Sequence, residues 1–209
     1  MNQPAQPKYA MAFFDGQNLY QHAKDAYGYH HPNYDPKLLH KAVCDEFGWI
    51  PNLARFYTGV PPQEREPMWA GFWSNRVLAM KRAGVHVTTR QLRYRTQIVE
   101  TADGEKEIAV PQEKGIDVRM ALDIVRCARK REFDVAILFS QDQDLNEIVE
   151  EIRDIAAEQE REIEICSAFP GGANATYRRG VDKTAWYRMT KEFYDRCLDH
   201  RDYRPANHR

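Results

Sequence analysis

Apolar residues along this chain fall into two patterns: short unbroken runs, and longer stretches in which an apolar side chain recurs every third or fourth position. Residues 135–139 (Val-Ala-Ile-Leu-Phe) are the clearest run. Five residues are too few for a helix, and no alternation leaves one face polar, so the run predicts a central strand of a parallel sheet covered on both sides. Residues 9–14 form a second such run, and 52–60 and 162–168 read as further strands. A strand starting at 85 is predicted to run on to 100, turn at 101–105 through Asp103-Gly104, and return over 107–110 as an inserted β-hairpin.

The longer periodic stretches predict helices between these strands. One runs to about Tyr27; one opens at Asp35-Pro36, a good N-cap and first-turn proline, and reaches about Phe47. Others cover 68–83 (ending at Gly84), 143–160 and 186–198, and one opens within 112–123. In that last helix Ile116, Met120 and Ile124, together with Val118, Leu122 and Val125, are read as facing inward. Strands separated by helices predict an α/β fold, a doubly wound, mainly parallel sheet with helices on both faces. One domain over 9–198 with flexible tails at 1–8 and 199–209 accounts for the length.

The apolar runs end in acids, and that changes the picture from architecture to chemistry. Ligands in open α/β sheets sit at the carboxyl ends of strands. The run at 135–139 stops at Ser140 and is followed by Asp142 and Asp144; the run at 9–14 stops at Asp15-Gly16. Gly16 is expected to permit a sharp turn that lifts Asp15 onto the rim. Capping of the following helix explains one acid at such a place but not two. Asp117, in the first turn of its helix, is a third candidate, with a structural role through the helix dipole equally open to it. Asp123 lies two turns deeper, away from the rim. Asn18 caps a helix or reaches a ligand.

Composition narrows the classes. With 30 Lys+Arg against 31 Asp+Glu, overall charge favours no polyanionic partner and forbids none, so a nucleic-acid surface needs segregated charge. Four scattered cysteines with no Cys-x-x-Cys or paired-His spacing argue against a zinc site or a disulfide framework and suit a reducing cytoplasm. No apolar stretch approaches the roughly 20 residues of a membrane span, so no membrane partner is expected. The adjacent His30 and His31 read as loop residues. No Gly-x-Gly-x-x-Gly follows a strand, which leaves redox chemistry without a motif.

If Asp15, Asp117, Asp142 and Asp144 converge, they need a cation: two carboxylates about 4 Å apart repel by about 4 kcal/mol at an effective dielectric near 20. Hard oxygen-only donors point to Mg²⁺ or Mn²⁺, which also accept phosphate oxygens and activate water for attack on a phosphodiester. Hydrolysis is the expected reaction.

The same residues carry a resemblance. Phe14-Asp15-Gly16-Gln17-Asn18-Leu19, Lys114-Gly115-Ile116-Asp117-Val118 with Ala121-Leu122-Asp123, and Ser140-Gln141-Asp142-Gln143-Asp144-Leu145 resemble, in order and spacing, the three signature blocks of the NYN domain, LabA-like branch, within the PIN-like nuclease superfamily. The resemblance spans roughly residues 9–189 and implies a PIN-like, Rossmann-like fold and a metal-dependent ribonuclease. It implies that Asp15, Asp117 and Asp142 hold Mg²⁺ or Mn²⁺, that Asp144 is a further acid near the metal, and that Asn18 steers Asp15 or a substrate phosphate. Gln141 departs from the glycine common in relatives, and the hairpin around Gly104 is longer than a minimal domain needs.

The implied partner is RNA, single-stranded. Lys114 is a candidate for the scissile phosphate or for pairing with Glu113, and Arg93, Arg95, Arg178 and Arg179 are candidate backbone contacts. Tyr94 between the hairpin arginines could stack a base, or the hairpin is a charge-blunted edge. Two other readings stay open: a catalytically silent RNA-binding module on the same fold, and an enzyme using the rim on a small molecule, aromatic ones included. A homo-oligomer is compatible with all three.

Overall fold

The computed structural model describes residues 6–101 and 104–206. In chain order its elements are β1 (Tyr9–Asp15), α1 (Gly16–Tyr27), α2 (Pro36–Phe47), β2 (Ile50–Val60), α3 (Pro67–Arg82), β3 (His86–Gln91), β4 (Arg93–Thr101) and β5 (Gly104–Gln112). There follow α4 (Ile116–Arg129), β6 (Val135–Phe139), a 3-10 turn (Gln143–Leu145), α5 (Asn146–Glu158), β7 (Glu164–Pro170), β8 (Ala185–Met189) and α6 (Lys191–Asp195). Six strands form one sheet in the order β3-β2-β1-β6-β7-β8, and every neighbouring pair is parallel. The chain builds outward from β1 through β2 to β3, then returns to place β6 on the other side of β1. The switch point therefore lies between β1 and β6, where such folds bind ligands.

Burial explains the unbroken apolar runs. Residues 10–14 and all of β6 are 0% exposed, because both faces of the sheet are covered. Ala10, Ala12, Phe14, Ile137 and Phe139 pack toward α1, α2 and α3. Met11, Phe13, Ala136 and Leu138 pack toward α4 and α5. The register is fixed to the last residue: Phe14 lies opposite Phe139, their rings stacked at 4.1 Å and 4°. The residues that follow, Asp15 and Ser140, therefore leave the sheet side by side.

Four local expectations change. The strand from 85 does not run on to 100, because the Leu92 amide donates to the Val60 carbonyl at 2.9 Å and the chain then leaves the sheet. Beyond it β4 pairs only with β5, antiparallel from Arg93 opposite Gln112 to Thr101 opposite Gly104; residues 102 and 103 of the expected turn lie outside the described residues. The helix expected over 186–198 is instead β8 followed by the five-residue α6. Trp186 and Tyr187 favour a strand there, packing on Phe169 and Phe193 respectively. On α4 only one face can reach the core: Ile116, Met120 and Ile124 do, while Val118 and Leu122 are 58% and 60% exposed. Finally, Gly16 has no left-handed backbone; it is needed because a Cβ there would meet the Phe56 ring at 2.7 Å and the Tyr57 carbonyl at 2.9 Å.

All four cysteines are buried and unpaired, and no helix among the described residues is long and apolar enough to cross a membrane. The segment after residue 198 lies along α3, with Tyr203 only 7% exposed and edge-on to Phe72 at 5.9 Å.

Candidate active site

Asp15 ends β1 and caps α1, its Oδ1 accepting the Asn18 amide at 3.1 Å. Its Oδ2 accepts the Ser140 hydroxyl at 3.3 Å, and the same hydroxyl accepts the Asp142 amide at 3.1 Å. Across the same gap the Asn18 side-chain oxygen accepts the Gln141 amide at 2.9 Å. These bonds stitch the loops after β1 and β6 together, so Asp15 and Asp142 are placed by main-chain contacts as well as by strand register. Asn18 acts here as a clamp between loops. Asp142 also caps the 3-10 turn through the Asp144 amide at 3.0 Å.

Asp15, Asp142, Asp117 from the first turn of α4, and Glu113 line one cavity of about 340 Å³ at the switch point, with Asn18 and His22 on its wall. Glu113 is the residue the sequence reading missed. In sequence it offers itself only as one of two possible partners for Lys114; Lys114 is exposed, and among the described residues no ion pair joins the two. Instead the Glu113 carboxylate accepts the Gly59 amide of β2. The absence of a side chain at Gly59 makes this possible, since a Cβ there would stand 2.6 Å from Glu113 Oε2. The hairpin, whatever else it does, returns the chain to the sheet so that Glu113 lands on the rim. The only sequence signal was its place just before the Gly115-Ile116-Asp117 block.

Electrostatics mark the same two side chains. Burial pushes the Asp15 carboxyl up to about 6; Asp142 and Asp117 push the same way, against the Asn18 amide and Ser140 hydroxyl that favour the charge. Burial, then Asp15 and Asp117, push Glu113 up to about 7. His22 is lowered by burial, opposed by Asp25, so the wall of the cavity offers these acids little positive charge.

The other predicted residues are more dispersed. Asp144 is exposed and does not line the cavity. Asp123 is 2% exposed and structural, bound by Arg119 and Arg126 at 2.9 Å and by the Tyr57 hydroxyl at 3.0 Å. Arg93 and Arg95 are exposed on β4, but Tyr94 between them is engaged, its hydroxyl donating to Glu66 and its ring under Arg65 at 4.8 Å. Arg179 pairs with Asp182 at 2.8 Å and Arg178 donates to the Ala173 carbonyl at 3.4 Å. Both belong to a loop held against the site by Gln141, whose side-chain amide donates to the carbonyls of Arg179 (2.7 Å) and Tyr177 (3.3 Å). Gln141 thus turns away from the rim. Tyr177 meets His22 edge-on at 5.2 Å, which brings that loop to the cavity wall. Arg90 lies over Gly115, at the entrance to α4.

Among the described residues no three His, Cys, Asp or Glu side chains are closed up to the spacing of ligands on one ion. The donor chemistry nevertheless fits a hard divalent cation: the cavity offers the carboxylate oxygens of Asp15, Glu113, Asp117 and Asp142, from three chain segments, and burial raises the pKa of Asp15 and of Glu113.

An open parallel α/β sheet with an acidic cleft at its switch point is the architecture of a hydrolytic or ligand-binding domain, not of a dinucleotide fold, which needs a glycine-rich phosphate loop. The family model of the NYN domain matches residues 9–183, and the chain belongs to the NYN domain family, within the PIN-like nuclease superfamily. Among solved structures it is similar to the crystal structure of a protein of unknown function from Vibrio parahaemolyticus RIMD 2210633. That likeness has a TM-score of 0.54 at 17% identity over 94% of this chain and 99% of the other, and it is a likeness of fold. No curated protein matches the sequence.

Proposed function

We propose that this NYN protein, of the LabA-like branch, is a metal-dependent endoribonuclease that hydrolyses phosphodiester bonds of single-stranded RNA in the cytoplasm. The observation that carries the proposal is the meeting of Asp15, Asp117, Asp142 and Glu113 in one cleft at the β1–β6 switch point. Asp15, Asp117 and Asp142 would hold Mg²⁺ or Mn²⁺, with Glu113 as a fourth acid. The ion, when bound, supplies charge for the leaving oxygen and acidifies a water. Burial and the neighbouring acids raise the Glu113 carboxyl toward neutrality in the ion-free cleft, and a cation there would favour its ionised form, so that it adds a fourth carboxylate to the donor set. Asp15 is held in place by Ser140 and the Asn18 amide, so its orientation does not depend on substrate. Lys114, Arg93, Arg95, Arg178 and Arg179 would contact the RNA phosphates; none of these five reads bases, and the contribution of each weakens as salt rises, while Asp144 sits outside the cleft.

The test is incubation of the purified protein with end-labelled single-stranded RNA, with and without Mn²⁺, alongside Asp15→Asn and Asp142→Asn. Ion-dependent cleavage lost in both variants supports the proposal. Binding without cleavage by the wild type, unchanged in Asp142→Asn, supports a silent RNA-binding module instead. Equal cleavage by all three proteins indicates a contaminant and counts against it.

A further inference from the structure

A second, larger cavity shares no residue with the acidic cleft. It encloses about 720 Å³ between the loop at 30–33, the first half of α3 and the segment 198–204, a volume within the roughly 300–1,000 Å³ of small-molecule sites. Arg76 lines it and is 1% exposed. One terminal nitrogen donates to the Pro32 carbonyl and the other to the Tyr34 carbonyl at 2.6 Å, but Nε has no partner among the described residues. Among the described residues no carboxylate lies within ion-pair distance of this guanidinium. The acids on the wall are already engaged, Asp199 by Arg201 at 2.7 Å and Asp202 by Arg204 at 2.9 Å. Asp35 also pairs with Arg201, at 3.3 Å, so among the described residues Arg76 is the one arginine lining the cavity that makes no direct ion pair.

A buried cation without a counter-charge is disfavoured unless an anion joins it. Aromatic rings flank Arg76: Tyr34, Trp73 and Tyr203 have centroids 5.2, 5.7 and 6.0 Å away. Trp69 and Phe72 add apolar wall. We propose that this cavity binds a small aromatic or heteroaromatic molecule bearing one acidic group, a carboxylate or a phosphate, with the anion toward Arg76 and the ring against Trp69 and Phe72. Guanidinium favours both oxyanions; with each terminal nitrogen already donating to a carbonyl, Nε and the remaining terminal hydrogens are the donors left for the anion. The site is independent of the nuclease reading.

The experiment titrates the full chain, in metal-free buffer, by calorimetry and tryptophan fluorescence. One arm uses aromatic carboxylates (benzoate, indole-3-acetate), the other nucleoside monophosphates (AMP, UMP); benzyl alcohol, adenosine and uridine are neutral counterparts. The expected result is binding in one arm with Kd below about 1 mM and at least about tenfold preference over the neutral counterpart. Trp69→Ala, at a half-buried position, and Arg76→Met, checked for a cooperative melt, should each weaken it by at least about tenfold. Asp15→Asn should leave it unchanged, which separates this site from the acidic cleft. The proposal is overturned by absence of binding in both arms, by equal binding of neutral counterparts, or by binding that Trp69→Ala leaves intact.

Discussion

The Glu113 carboxylate rests on the main-chain amide of Gly59, 54 residues earlier in the chain. Through that bond an inserted hairpin, which otherwise stands apart from the six-stranded sheet, contributes a fourth acid to the switch-point cleft. Two substitutions test the relationship. Glu113→Gln removes the charge, and Gly59→Ala keeps it but crowds both the carboxylate and the Leu92 side chain, so that the carboxylate must shift. Both are expected to weaken Mn²⁺ binding and RNA cleavage by about 10–100-fold, the range of residues that support metal ligands. Cleavage at wild-type rates in both variants would remove Glu113 from the site.

Stability should fall as pH rises through the range in which the cleft ionises. The folded-state values of Asp15 and Glu113, about 6 and about 7, lie above their ordinary carboxylate values. A raised carboxyl contributes stability that is fully present below its unfolded pKa and is lost as pH rises through its folded one. Metal-free melts should therefore lose about 1–3 kcal/mol between pH 4 and pH 8 from these groups. Asp15→Asn should recover about 1–2 kcal/mol of that at pH 8 and little at pH 4, net of its weakened cap. Mn²⁺ should stabilise the wild type more at pH 8 than at pH 5.5, because its ligands must be deprotonated. Thermal melts across this pH series check all three signs.

Asp142 and Asp144 are two residues apart but differ in place. Asp142 lines the cleft, whereas Asp144 is exposed beside it. Asp142→Ala is expected to abolish cleavage, and Asp144→Ala to retain activity within about threefold, consistent with the small effects of surface substitutions. Single-turnover rates on one RNA distinguish them; equal losses would put Asp144 in the site.

Gln141 anchors the loop at 177–181 rather than narrowing the rim. Gln141→Ala leaves two carbonyls without their donor and should cost about 1–3 kcal/mol. Amide hydrogen exchange should speed up at 177–181 and not in β6. Unchanged protection in the loop would contradict the anchoring role.

The architecture was readable because its signal is local: a five-residue apolar run with no polar alternation admits few environments besides a covered central strand, and acids directly after two such runs land on one rim once the strands pair in register. What was not readable depends on distance or on competition. Glu113 is paired with a backbone amide across the fold, while its nearest charge in sequence is Lys114. The aromatic stretch 186–189 satisfies a helical spacing as well as an edge strand, and only pairing with β7 decides it. Val118 and Leu122 are apolar yet lie on the outer face of α4, which hydrophobicity alone does not reveal. The charge of Arg76 gave no signal in sequence, because its significance is the missing acid around it.

The central claim is that four acids from three separate segments gather around one divalent ion. Crystals soaked in Mn²⁺ and measured for anomalous scattering test it without reference to any substrate. The account predicts a single strong peak among the carboxylates of Asp15, Asp117, Asp142 and Glu113, lost in Asp117→Asn; no peak there, or one unaffected by that substitution, would contradict it.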